Sequence, residues 1–234
     1  PIPSRGLGDV YKRQDIHTHI IPENWPDFES KFGYGGWISL DHYKKNEAKM
    51  IKNGKSFRII ECNCWDPLVR IDECKKTNVD VQVLSTIPAL FNYWAKPDDA
   101  LFTSKFINDH ISMIVNDHPK HFLGLGTLPM QDEKKAILEL ERCIKELGLA
   151  GIQIGSNING LNLNEPSVLS IFEAARDMGA SVFVHPWDIM GRHEMEKYWL
   201  PWLVGMPAET SRAICSMIFG GVFEQLPDLR VAFA

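Results

Sequence analysis

The chain alternates short apolar runs with longer segments in which apolar residues recur every three or four positions. Runs of four to eight apolar residues predict buried strands, and the longer period predicts amphipathic helices. Their regular alternation favours an α/β fold built on a parallel sheet. The predicted strands of this sheet are residues 15–20, 79–86, 121–128, 151–155, 181–185 and 229–234.

Helix boundaries are indicated by capping residues and by proline and glycine. Asp66 precedes Pro67, the pattern of an N-cap followed by proline at the first helical position. Gly148 and Gly179 follow apolar-periodic segments and predict helix ends. The predicted helices are residues 66–77, 97–117, 132–147, 166–178, 194–204 and 206–225.

A second pattern interrupts the first strand–helix unit at about residues 33–62. Residues 37–40 and 55–60 read as two short strands separated by the polar segment 41–54. Asn53-Gly54 is typical of a tight hairpin turn. We therefore expect a small inserted β hairpin that is not part of the main sheet.

Six strand–helix units predict an incomplete TIM (β/α)8 barrel, because eight strands are needed to close it. An open dinucleotide-binding sheet has little support, since no glycine-rich phosphate loop follows a strand. Residues 15–234 are expected to form this barrel, cut before its fold is complete. Residues 1–14 show neither period, and we expect a foreign or disordered leader there.

Composition narrows the class of protein. The 234 residues are 44% hydrophobic and carry a net charge of −5 with both signs interspersed, which argues against nucleic acid or an anionic membrane as a partner. No apolar run approaches the length of a membrane span. Five cysteines in such a chain fit a reduced cytoplasmic protein, and Cys62-x-Cys64 is interpreted as packing thiols.

Candidate chemistry lies at strand ends. His17 and His19 are two residues apart on a predicted strand, so their imidazoles face the same side. His185 ends another apolar strand, which is where barrel enzymes place catalytic groups. Each histidine alone could be a packed residue, but together they predict a site for Zn²⁺ or a similar transition metal.

Several longer segments resemble one known family. The chain is similar, almost continuously over residues 15–234, to the aminocarboxymuconate-semialdehyde decarboxylases of the amidohydrolase superfamily of metal-dependent barrels. The segments that carry the resemblance are residues 15–22, 32–37, 93–98, 124–131 and 197–210.

The resemblance implies a zinc-dependent, non-oxidative decarboxylase of tryptophan (kynurenine) catabolism. Its substrate would be 2-amino-3-carboxymuconate 6-semialdehyde, a small acidic conjugated molecule, and the product 2-aminomuconate 6-semialdehyde, which limits quinolinate formation. By similarity, the zinc ligands would be His17, His19 and His185, and the full-length enzyme would be a homodimer.

The resemblance also implies substrate-binding roles for Arg58, Lys52 and Trp202. A guanidinium presents a planar fork that matches a carboxylate, which supports the role of Arg58. Without the resemblance, Arg58 could equally be a surface charge on a hairpin, and Trp202, like Trp187 and Trp199, would more often be a core residue.

The chain departs from the family pattern at its end. In the family a catalytic histidine directly follows a strand end like Phe233-Ala234, so it lies beyond Ala234. An aspartate ligand and an arginine that crosses the dimer interface also have no counterpart, and we expect the 234-residue chain itself to be inactive. A related amidohydrolase-type hydrolase, an aromatic-acid decarboxylase and a non-catalytic partner-binding fragment remain alternatives.

Overall fold

A six-stranded parallel sheet forms the centre of the protein. The computed structural model describes residues 12–234, so most of the predicted leader lies outside the described residues. All six strands that the apolar pattern predicted are present. They are β1 Gln14–His19, β5 Val81–Ser85, β6 Phe122–Gly126, β7 Gly151–Gly155, β8 Ser181–His185 and β9 Arg230–Phe233, side by side in that order.

The sheet is strongly curved. Four strand spacings separate β1 from β8, which would place them about 19 Å apart in a flat sheet. Yet the ring centroids of His17 on β1 and His185 on β8 are 4.9 Å apart. The sheet therefore curls into a half-barrel, as predicted, and its concave face brings β1 and β8 together.

Helices cover the convex face. Asp66 caps one of them by accepting hydrogen bonds from the backbone N–H groups of Leu68 and Val69, as its sequence predicted. Among residues 12–234, no helix is both long and apolar enough to cross a membrane. The helices are α1 Phe28–Phe32, α2 Pro67–Thr77, α3 Pro97–Asp117, α4 Glu133–Lys145, α5 Pro166–Asp177, α6 Met206–Phe219 and α7 Val222–Gln225.

Alternate residues of each strand face two different layers. On β7, Ile152 and Ile154 are fully buried in the core between the sheet and its helices. Val83, Leu125 and Phe183 form a separate small cluster, and the contact of Phe183 with His17 places this cluster on the concave side. The strands thus offer one face to the core and the other to a candidate site.

The insertion contains three strands, so the prediction of two strands joined by a polar segment was wrong. β2 Ile38–Lys44, β3 Glu47–Lys52 and β4 Lys55–Glu61 form an antiparallel sheet. The polar residues within 41–54 are compatible with strands because an antiparallel sheet can face water on one side. The predicted turn at Asn53-Gly54 is confirmed, and both residues have positive φ, 51° and 73°.

The segment before α6 also differs from its prediction. Residues 194–204 do not form one helix, because Tyr198 and Trp199 are both left-handed, with φ of 59° and 58°. A short 3-10 turn at Arg192–Glu194 precedes them, and a wide π turn at Pro201–Gly205 leads directly into α6.

The last predicted helix, residues 206–225, is divided at Gly220-Gly221. A side chain at Gly220 would bring its Cβ within 2.4 Å of both Asn164 Cβ and Ser216 O, and Gly221 has a φ of 71°. Gly220 is required because a side chain would not fit, and Gly221 is required because of its left-handed backbone conformation. The helix ends at this pair.

Candidate metal centre

Three histidines meet on the concave face of the half-barrel. The ring centroids of His17 and His19 are 5.2 Å apart, and both lie within 5.2 Å of the His185 ring. One ligand nitrogen from each histidine can be chosen so that all three lie within 4.8 Å of one another. The structure brings together the three residues that the sequence predicted.

The hydrogen bonds of two histidines fix which nitrogen faces the centre. His19 Nδ1 is 2.9 Å from the carbonyl oxygen of Thr86, and His185 Nδ1 is 2.9 Å from that of Pro186. Because a carbonyl oxygen only accepts, each Nδ1 must carry the proton and donate it. The Nε2 atoms of His19 and His185 are then unprotonated and able to bind a metal.

Electrostatics keep the cluster neutral. Burial lowers the pKa of His19 to about 3, with further contributions from the neighbouring His185 and His17. Burial likewise lowers the pKa of His185 to about 4. The pKa of His17 is also lowered by burial, although Asp15 opposes the shift.

This donor set fits a transition metal. Neutral imidazoles bind Zn²⁺ at about 2.0–2.1 Å, so nitrogens within 4.8 Å of one another need only small side-chain rotations to reach a common ion. His17 is exposed, His19 is half-buried and His185 is buried. The buried His185 would therefore bind the metal from the protein side, and the metal would remain accessible to solvent on the side of His17.

Two of the predicted substrate residues lie on the insertion. Arg58 is exposed, but it lies two residues from the buried Ile60 and therefore on the same face of β4, which packs towards the half-barrel. Burial raises the pKa of the Cys64 thiol, and the charges of Arg70 and Arg58 oppose that shift. Cys64 follows β4 by three residues, and its carbonyl oxygen accepts the N–H of Ile21, two residues beyond His19.

Lys52 shares the inward face of the insertion. Its backbone pairs with the buried Ile38 on β2, and its ammonium lies 5.7 Å from the centre of the Trp94 ring. Trp94 lies in the segment between β5 and α3. The structure therefore places Lys52 against the segment that follows β5.

The third predicted substrate residue, Trp202, lies on the π turn before α6. It is 44% exposed, and its ring contacts that of Trp199 with centroids 5.0 Å apart. Trp187 follows His185 by two residues and contacts Phe91 at 5.6 Å. The aromatic residues therefore form two separate pairs.

Sequence reasoning missed the groups that orient the ligands. Thr86 supplies the carbonyl that accepts from His19, and the same carbonyl accepts from the buried Gln153 amide at 3.0 Å. A guanidinium nitrogen of Arg70 donates to the carbonyl oxygen of His19 itself. A polar residue within the apolar strand 151–155 was a usable signal for Gln153, whereas a backbone carbonyl leaves no signal in the sequence.

Known proteins are similar to this chain in both sequence and fold. The 2-amino-3-carboxymuconate-6-semialdehyde decarboxylase of Dictyostelium discoideum is 60% identical over 220 residues, 94% of this chain and 61% of that protein. The protein of the same name from Caenorhabditis elegans is 34% identical, over 95% of this chain and 68% of that protein.

A solved structure is also similar. The 5-carboxyvanillate decarboxylase of Novosphingobium aromaticivorans, complexed with manganese and 4-hydroxy-3-methoxy-5-nitrobenzoic acid, aligns with a TM-score of 0.69 and 26% identity. The match covers 73% of this chain and 50% of that one.

This chain spans 61% of the length of the Dictyostelium relative. Residues 14–234 match the family model described as amidohydrolase, a range that contains all three histidines. The chain therefore belongs to the amidohydrolase family.

Proposed function

We propose that this protein is a metal-dependent decarboxylase and that its substrate is 2-amino-3-carboxymuconate 6-semialdehyde. The observation that carries the proposal is the convergence of His17, His19 and His185. The fixed protonation of Nδ1 in His19 and His185 leaves two nitrogens ready for a metal. The names of the relatives at 60% and 34% identity support the substrate.

Zinc is the metal that this donor set favours. Three neutral imidazoles suit Zn²⁺, whereas Mn²⁺ prefers carboxylate, carbonyl and water oxygens. When bound, the ion would supply Lewis-acid polarisation and a bound water of lowered pKa. Manganese, which the similar carboxyvanillate decarboxylase structure contains, is the competing choice.

The substrate carboxylate would be bound by the insertion. Within residues 12–234, Arg58 forms no salt bridge, so its fork is available for a bidentate contact. We assign Lys52 to the same task from the neighbouring strand. Trp202 would supply an aromatic surface for the conjugated part of the substrate.

Two further assignments belong to this proposal. The five free cysteines support a reduced cytosolic location. Trp199 and Leu203 expose 70% and 69% of their surface, and apolar exposure of this kind supports a homodimer of the whole protein. Sedimentation analysis of the native protein tests the dimer.

The direct test is decarboxylation by the protein expressed from its native gene. The expected result is release of CO2 from the muconate semialdehyde, loss of that activity on removal of the metal by a chelator, and recovery with Zn²⁺. Elemental analysis should find about one metal ion per chain. A protein that binds no metal, or that releases CO2 equally well after the metal is removed, would contradict the proposal.

A second candidate is decarboxylation of an aromatic acid. The structural likeness to a 5-carboxyvanillate decarboxylase at 26% identity favours it. The same assay with 5-carboxyvanillate separates the two, because the preferred substrate has the higher kcat/KM.

A further inference from the structure

The carboxylate of Glu209, near the beginning of α6, is fully buried. Its Oε1 accepts the backbone N–H of Met190 at 2.9 Å. Its Oε2 accepts from Ser156 Oγ at 3.1 Å and from Asn157 Nδ2 at 3.2 Å. Arg212, one turn further along α6, lies 2.9 Å from the same oxygen.

These contacts join α6 to two loops on the carboxyl side of the sheet. Ser156 and Asn157 directly follow β7, and Met190 lies in the loop that follows His185. Both of the residues that follow β7 also bind Trp187. Asn157 Nδ2 donates to the Trp187 carbonyl at 2.8 Å, and Ser156 Oγ accepts the Trp187 N–H at 3.0 Å.

The loop that these contacts fix lies beside the histidine cluster. Trp187 is two residues from His185, and a Cβ at Gly155 would lie 3.1 Å from Trp187. The Trp187 ring also contacts Phe91, which follows β5. The position of this indole therefore depends on the backbone that Ser156 and Asn157 bind.

We propose that Glu209 is a positioning residue for the loop of residues 186–190. By fixing this loop, it also fixes the position of Trp187 beside the histidine cluster. Its two oxygens hold both loops at once, so the carboxylate acts as a bridge between them. The consequence for catalysis rests on the proposed function, but the consequence for the loop does not.

Glu209→Gln tests the bridge with little change in shape. Each oxygen of Glu209 accepts from a donor, so the amide nitrogen of glutamine must face an N–H or O–H group in either orientation. One buried donor then loses its acceptor, which favours opening of the loop.

A matched control exists on α4. Glu139 is also fully buried, accepts from Arg142 three residues later and from Asn108 Nδ2 at 2.7 Å. Its carboxylate contacts α3 and α4 but neither of the loops that Glu209 joins. Glu139→Gln therefore disturbs a buried glutamate that is also paired with an arginine three residues later, without touching the candidate site.

The loop is measured by limited trypsin digestion of the native protein, because Arg192 and Lys197 are exposed just beyond it. Glu209→Gln should accelerate cleavage after these residues by about ten-fold relative to wild type. Glu139→Gln should leave the rate of this cleavage unchanged.

Kinetics provide the second measurement. With the muconate semialdehyde, Glu209→Gln should raise KM more than it lowers kcat, since it alters the loop beside the histidine cluster and none of the three histidines. If wild type releases no CO2, the proposed function fails while the digestion result still decides the role of Glu209.

Ser156→Ala covers the case in which Glu209→Gln does not fold. It removes the hydroxyl that binds both Trp187 and Glu209, and it should accelerate cleavage in the same direction by a smaller factor. Equal cleavage rates for the variants at Glu209 and Glu139, or a wild-type rate in Ser156→Ala, would overturn the proposal.

Discussion

The strand ends and the surface segments of this half-barrel differ in how they hold functional residues. His17, His19 and His185 lie on strands of the parallel sheet, and hydrogen bonds to backbone carbonyls orient His19 and His185. Arg58 and Trp202 lie on the insertion and on an irregular turn, and both are exposed. The proposed metal site thus follows from the sheet itself, whereas the proposed substrate contacts depend on the elements added around it.

The largest effect is expected from His185→Ala, which removes the ligand that ties β8 to β1. Metal affinity should fall by more than about 100-fold, since loss of even an outer-shell partner typically causes a 10–100-fold decrease. Competition with a chromogenic chelator measures it. His193→Ala is the control, because His193 is exposed, and equal affinity in the two variants would exclude His185 as a ligand.

Arg58→Ala tests the surface segment instead. Loss of the proposed charge-assisted bidentate contact should lower kcat/KM by about 100-fold, while the metal content stays that of wild type. Lys55→Ala, at an exposed position of the same strand, should change little. If Arg58→Ala lost metal in proportion to activity, the assignment of metal binding to the strand ends and of substrate binding to the insertion would be wrong.

Acid should weaken the strand-end site before it affects the insertion. The folded-state pKa values of His19 and His185, about 3 and 4, lie below the usual 6.5. The unfolded chain therefore binds more protons between those values and 6.5, so stability is lost as pH falls below about 6.5.

The expected loss for the metal-free protein is about 5 kcal/mol in the free energy of unfolding between pH 7 and pH 4.5, with roughly half from each of the two histidines. Urea denaturation at the two pH values measures it. The double variant His19→Gln/His185→Gln should show a smaller difference, and an equal difference would assign the effect to other groups.

The smallest effect is expected at the tip of the insertion. Gly54 has a φ of 73° and open space around its Cα, so Gly54→Ala should cost about 1 kcal/mol from backbone strain alone. Gly151→Ala is the contrasting change on β7, since its Cβ would lie 2.0 Å from Ser181 O. Thermal melting should show a small shift for the first and severe destabilisation for the second.

Much of the scaffold could be predicted because its signals are local. Pro97 and the apolar period define α3, whose bounds Pro97–Asp117 match the prediction. The three histidines were predictable because strand alternation and strand ends constrain where side chains point. The third strand of the insertion was missed because its polar face resembles a loop in sequence.

Glu209 was missed for a different reason. It lies in a predicted helix, and nothing local distinguishes it from a solvent-exposed glutamate. Its burial arises from contacts with Ser156 and Asn157, which are distant in the chain and become neighbours only when the sheet has formed.

The distance along the chain between His19 and His185 has a thermodynamic consequence. A metal that binds both would act as a removable cross-link between β1 and β8, closing a loop that contains most of the described chain. Such a link disfavours the unfolded ensemble, and its contribution grows slowly with the length of the loop it closes. Metal supply would then set how long the folded protein persists as well as whether its site is complete.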